Sequence, residues 1–150
     1  MTKEEFLIEL MQVIGKPYIF GGSGPQFFDC SGLVQFALFK LKIGPPYDMT
    51  AHGLYNYYRN YSYELLLDKR DLGDLCFYGE ANKITHCAIC LNDDFIIEAR
   101  GGDETTNSIE EAKKRGAQVS VSPLNSRKDL FTILRPNNLP WLIYSHQATP

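Results

Sequence analysis

Residues 21 to 34 read Gly21-Gly22-Ser23-Gly24-Pro25-Gln26-Phe27-Phe28-Asp29-Cys30-Ser31-Gly32-Leu33-Val34. A glycine-rich turn runs into Asp-Cys-Ser-Gly, and an apolar stretch from Leu33 to Leu41 follows at once with helical spacing. Cys30 therefore falls where a loop becomes a helix. Backbone N–H groups without helical acceptors and the positive end of the helix dipole meet the sulfur there. Such a place favours thiolate over thiol. A cysteine ahead of a helix is more often an inert core residue, but Asp29 and Ser31 are polar where such a residue has apolar neighbours. Gly32 leaves room beside the sulfur for a substrate or for another stretch of chain.

A thiolate needs a base, and the chain has three histidines, His52, His86 and His146. His86 opens a strand-like run, Cys87-Ala88-Ile89-Cys90-Leu91, which fixes an imidazole better than a tail does. Asn92-Asp93-Asp94 reads as a tight hairpin that brings Phe95-Ile96-Ile97-Glu98-Ala99 back beside that strand. Glu98 then lies near His86, on the face it shares with Ile96. A carboxylate in an apolar strand costs free energy unless partnered, and an imidazole N–H would satisfy it and fix the ring's tautomer. A strand-end glutamate facing solvent is the plainer alternative, as is a histidine that merely caps a loop.

The spacing predicts helices from Thr2 to Ile14, from Cys30 to about Lys42, from Thr50 to Asn60 and from Ile109 to Arg115. Thr2 with Glu5 has the capping-box pattern, and Phe6, Leu7, Leu10, Met11 and Ile14 form the expected apolar face. Strands are expected at 75–78, 87–91, 95–99, 119–121 and 130–134, and a polar turn from Asp68 to Asp74. Helices come first and antiparallel strands second, so the fold class is α+β, with N-terminal helices packed on a small antiparallel sheet. At 150 residues a single domain is expected, with a core over about 3–136 and a loosely packed tail over 137–150.

A formal charge of −3 and no basic block longer than Lys113-Lys114-Arg115 argue against nucleic acid as a partner. No apolar run is long enough to span a membrane. The N-terminus lacks a secretory pattern, so synthesis in the cytoplasm is expected. The four cysteines, Cys30, Cys76, Cys87 and Cys90, fit reduced thiols better than a disulfide framework. Cys87-x-x-Cys90 beside His86 suggests zinc, but strand positions three apart point to opposite faces, so structural thiols are expected instead. The stretch Tyr55 to Tyr63, rich in tyrosine, either lines a groove for a sugar or peptide or packs with its hydroxyls at the surface.

These residues, in this order, resemble the NlpC-type peptidoglycan cysteine peptidases, small papain-like enzymes. The resemblance begins at Gly15-Lys16-Pro17-Tyr18-Ile19-Phe20-Gly21-Gly22 and continues through Phe28 to Val34. It resumes at Leu72-Gly73-Asp74-Leu75-Cys76-Phe77-Tyr78 and ends with Thr85 to Leu91 and Ile96 to Ala99. It implies Cys30 as nucleophile, His86 as base and Glu98 as the group that orients the imidazole. Tyr18 matches a tyrosine beside the nucleophile that helps the oxyanion site, and Asp29 and Ser31 match substrate-binding positions. The family usually has His at the third catalytic position, sometimes Asn or Gln, so Glu98 is a departure. The implied activity is cleavage of peptidoglycan stem peptides at the D-glutamyl–diamino acid bond through a thioacyl-enzyme, without metal or organic cofactor. An amidase or acyl transferase on the same scaffold, or a non-catalytic wall-binding or virion module, are the alternatives. Ala99-Arg100-Gly101-Gly102-Asp103 looks like bacteriophage-associated members. A phage tail, a lysis system or a secretion system is then the expected carrier to the cell wall.

Overall fold

Thr2 and Glu5 close the capping box: the Thr2 hydroxyl accepts from Glu5 N at 3.2 Å, and Glu5 Oε2 accepts from Thr2 N at 2.9 Å. In a computed structural model of the chain, which describes residues 1–65 and 69–142, this box opens helix α1 (Lys3–Met11). Asp29 caps α2 (Cys30–Lys40), Thr50 caps α3 (Ala51–Tyr58) and Ser108 caps α4 (Ile109–Arg115), each by accepting a backbone N–H three residues on. Gly116, in the left-handed region at φ 61°, ends α4. Six strands follow or interleave: β1 (Ser62–Glu64), β2 (Leu75–Glu80), β3 (Lys83–Cys90), β4 (Phe95–Arg100), β5 (Gln118–Pro123) and β6 (Leu130–Pro136).

The strands form one antiparallel sheet in the order β1-β6-β2-β3-β4-β5. Helices α2 and α3 pack against β3, and α2 also against β4. The expected α+β architecture is the one found, with the helices on one face of the sheet. Alternation along the strands divides the core. Cys87, Ile89, Ile97 and Ala99 face the helices with Phe28, Leu33 and Leu54. Cys76, Tyr78, Ala88, Cys90, Ile96 and Leu124 form a smaller cluster on the other face. Cys87 and Cys90 thus point to opposite faces, as their spacing predicts.

Three expectations need correcting. Of the apolar face expected on α1, only Phe6 and Leu10 are buried; Leu7, Met11 and Ile14 are exposed, and Val13 beyond the helix completes the buried stripe. The stripe is narrower than a full apolar face because α1 meets the core along one line. The stretch after Pro136 is not loose throughout: Leu139 is fully buried, and the Trp141 ring lies 5.7 Å from that of Phe6. Strand β1, which no alternation announces, adds to the sheet edge at β6. Asp68, part of the expected polar turn, lies outside the described residues, as do His146 and the tail from 143.

Candidate active site

Cys30 sits where the first turn of α2 meets a tightly held loop. The Asp29 carboxylate fixes this junction. Its Oδ1 accepts from Gly32 N at 2.7 Å and from the Ser31 hydroxyl at 3.2 Å, while Oδ2 accepts from Gly21 N at 2.9 Å. Gly22 O accepts from Asp29 N at 2.9 Å and occupies the space where a Cβ on residue 32 would lie. Of the two uses considered for the space at Gly32, the chain's own Gly22 carbonyl takes it. Burial raises the Asp29 pKa above its usual value despite these N–H donors.

His86, the residue expected as base, lies on the central strand β3. Tyr78 of β2 lies directly opposite His86, their rings 5.5 Å apart, and the register shifts just beyond, where Gly79 faces Ile84 and Thr85 is the extra residue. Gly79 stands across from this bulge at φ 123°, where a side chain would strike the Lys83 carbonyl. His86 Nε2 lies 2.9 Å from Glu98 Oε1, and both side chains are buried. Nδ1 is therefore the nitrogen left for Cys30.

The charges support one another. The Cys87 thiol acts most strongly on Cys30; with the His86 imidazole and the Cys87 backbone N–H it outweighs burial and brings the Cys30 pKa down to about 4. Burial by itself would lower the His86 pKa, but Cys30 and Glu98 raise it above its ordinary value. Burial would raise that of Glu98, and His86 with neighbouring Ser122 holds it below the usual carboxylate range. The shifts together favour a thiolate beside an imidazolium, backed by a carboxylate. Tyr18 is buried at the same place, and burial, then the nearby Cys30 charge, pushes its pKa well up, so it stays a phenol. Gly102 lies flat against its ring, where a side chain would collide.

These groups open into one cavity of about 880 Å³. Tyr18, Asp29, Cys30, Ser31, His86 and Glu98 all line it, so the six residues that the resemblance implied are brought together, whereas Cys76 and Cys90 lie on the other face of the sheet. Sequence reasoning missed Cys87 as the group that lowers the Cys30 pKa most, although it directly follows His86. It also missed Arg100 and Arg127, which line the cavity from the end of β4 and the turn after β5. The Arg127 guanidinium stands 5.5 Å over the Tyr78 ring and is paired with Asp129 through Nε at 3.0 Å and Nη2 at 2.9 Å. Among the described residues no cluster of three or more His, Cys, Asp or Glu side chains is arranged for a metal ion.

A helix-borne cysteine facing a strand-borne histidine, with a carboxylate behind it, on helices packed over an antiparallel sheet, defines the papain-like cysteine peptidase fold. Residues 15–125 match the model of the NlpC/P60 family, and the chain belongs to that family. The chain is 39% identical over 103 residues to murein DD-endopeptidase MepH of Escherichia coli strain K12, a match covering 64% of this chain and 36% of that protein. It is 37% identical over 90 residues to the bifunctional muramidase/DL-endopeptidase CwlT of Bacillus subtilis strain 168, covering 57% and 26% respectively. A crystal structure of a lipoprotein-like NLP/P60 family protein from Staphylococcus aureus Mu50 superposes with a TM-score of 0.65 at 26% identity, covering 89% of this chain and 41% of that one. The chain thus spans well under half the length of the relatives it matches.

Proposed function

We propose that the protein is a peptidoglycan hydrolase, a cysteine endopeptidase that cuts stem peptides. The observation that carries this reading is the complete, internally charged constellation of Cys30, His86 and Glu98 in one open cavity. The Cys30 thiolate attacks the peptide carbonyl. The N–H groups at the start of α2 that Asp29 leaves unengaged stabilise the oxyanion, with the Tyr18 hydroxyl beside them. His86, charged in the resting pair, gives its proton to the departing amine, and the thioacyl-enzyme forms as that bond breaks. His86 then takes a proton from water, and the thioester is hydrolysed. Glu98 holds the ring and offsets its positive charge.

Asp29 and Ser31 line the cavity on the nucleophile's side, where an acidic group can meet a peptide amine. Two relatives carry names for different bonds, DD and DL. For this chain we propose the D-glutamyl–diamino acid bond, with delivery to the wall by a phage-, lysis- or secretion-linked carrier. Digestion of purified sacculi with the intact chain and with Cys30→Ala, followed by mass spectrometry of the released peptides, tests both levels. New amino termini at the diamino acid, absent with Cys30→Ala, are expected. Release of intact stems would make the enzyme an amidase, and no release at all would return it to a binding module.

A further inference from the structure

The cavity around Cys30 does not stand alone. Asp48, Met49 and Thr50 form a wall that it shares with a second cavity of about 500 Å³ against α3. Gln35, buried in α2 one turn beyond Ser31, pins this wall. Its Nε2 donates to Asp48 Oδ1 and to Met49 O at 3.0 Å each, and its Oε1 accepts from Met49 N at 2.9 Å. A rigid partition tied to the nucleophile's own helix therefore separates two adjoining spaces.

The two spaces differ in chemistry. The catalytic cavity is lined by charges of both signs, among them Asp29, Arg100, Asp103 and Arg127. The second is walled by Tyr47, Tyr57, Tyr61, Asn56 and Asn60, and its one carboxylate, Asp48, is engaged by Gln35. Tyr47 is 68% exposed and Tyr61 50% exposed, and the Tyr57 and Tyr61 rings lie 5.0 Å apart. Exposed aromatic rings flanked by neutral amides suit a neutral ring that has an apolar C–H face and polar edges. A pyranose has that form. Peptides of the wall carry amines and carboxylates; no Lys or Arg lines this groove to meet a carboxylate, and its one carboxylate, Asp48, is held through Oδ1 by Gln35, whereas an amino sugar bearing a stem has its carboxyl consumed in the amide link. Charge complementarity and continuity with the cavity around Cys30 thus favour the sugar.

Resting on the peptidase reading above, we propose that this groove is a saccharide subsite. It holds the N-acetylated amino sugar to which the stem peptide is attached, so the enzyme prefers stems that still carry their sugar. Binding energy gathered there, away from the reacting bond, holds the stem in place over Cys30.

Full-length Cys30→Ala is titrated with three probes: a disaccharide of N-acetylglucosamine and N-acetylmuramic acid bearing a stem peptide, the same stem peptide free, and the disaccharide alone. The disaccharide-peptide should bind about tenfold more tightly than the free peptide. Tyr47→Ala and Tyr61→Ala, both at exposed positions, should erase that difference and leave the free peptide unaffected. The disaccharide alone should shift the NMR signals of Tyr47, Tyr57 and Tyr61. Equal binding of the two peptide probes, with no such shift, overturns the subsite. Equal weakening of both by the tyrosine variants also overturns it and makes the groove a peptide site. Cleavage by the intact chain is read separately. A disaccharide response without cleavage keeps the groove and removes the peptidase reading; cleavage without sugar preference does the reverse.

Discussion

His86 Nε2 and Glu98 Oε1 lie 2.9 Å apart, both side chains buried, on neighbouring antiparallel strands. This contact sets the tautomer of the ring and directs its other nitrogen to Cys30. It also accounts for part of the rise in the His86 pKa, because an imidazolium next to a carboxylate is harder to deprotonate.

Glu98→Gln should therefore slow the enzyme without stopping it, since an amide oxygen still accepts the ring N–H. The His86 pKa falls when the carboxylate charge goes, so the alkaline limb of kcat/KM should move to lower pH. His86→Ala should lose about 10²–10⁴-fold, the usual contribution of a general acid–base. A Glu98→Gln enzyme with the original rate and pH profile would make Glu98 an ordinary strand residue.

The pH profile of the intact chain should be bell-shaped. Cys30, lowered to about 4, loses its thiolate only below that pH, so the acid limb should lie near it. His86, raised above its ordinary value, loses its proton at the alkaline limb. Initial rates on a defined stem peptide across this range check both limbs; an acid limb near the pKa of a free thiol would contradict the ion pair.

Cys30 should alkylate at pH 6 far faster than the other three cysteines. Cys76, Cys87 and Cys90 are fully buried, and burial raises the Cys87 thiol well up. Cys76 is pushed up first by Cys90, whose Sγ lies 3.0 Å from its own. Peptide mapping after brief iodoacetamide treatment reads this directly. Equal labelling of all four in the folded protein would show that Cys30 is not activated.

Cys87→Ala should raise the Cys30 pKa by about one unit, the scale of one hydrogen bond to a charged group. The acid limb should move up accordingly while the alkaline limb, set by His86 and Glu98, moves less. Iodoacetamide rate against pH for the variant measures the shift, and an unmoved curve would assign the lowered pKa to His86 and the helix start instead.

Asp74→Asn should destabilise the fold by about 1–3 kcal/mol, because it takes the charged acceptor from the half-buried Arg135, which keeps only the Lys69 carbonyl. Arg135 Nε and Nη2 each lie 2.8 Å from the two Asp74 oxygens, and Asp71 N donates to the same carboxylate at 2.7 Å. This pair ties the turn before β2 to β6. Thermal melts compared at one pH check the loss; an unchanged midpoint would mean the pair only balances its own desolvation.

What could be read from the residues alone was local. The Asp29–Cys30 junction is written in adjacent positions, a glycine turn followed by a capping side chain and an apolar helix. The meeting of His86 and Glu98 follows from the period of two along strands and the short Asn92-Asp93-Asp94 turn between them, as does the divergence of Cys87 from Cys90. Packing between distant segments decided the rest. Cys87 stands by Cys30 only because α2 lies across β3 and β4. Cys76 meets Cys90 only because β2 pairs with β3 in one register. Leu139 and Trp141 are buried by partners that no pattern near them reveals, and β1 exists because β6 offers an edge. The tyrosines near residue 60 form a groove only because Gln35 holds Asp48 and Met49 against α2. Sequence periodicity reports which face of its own element a side chain takes; which other element covers that face is settled by how the whole chain buries its apolar surface.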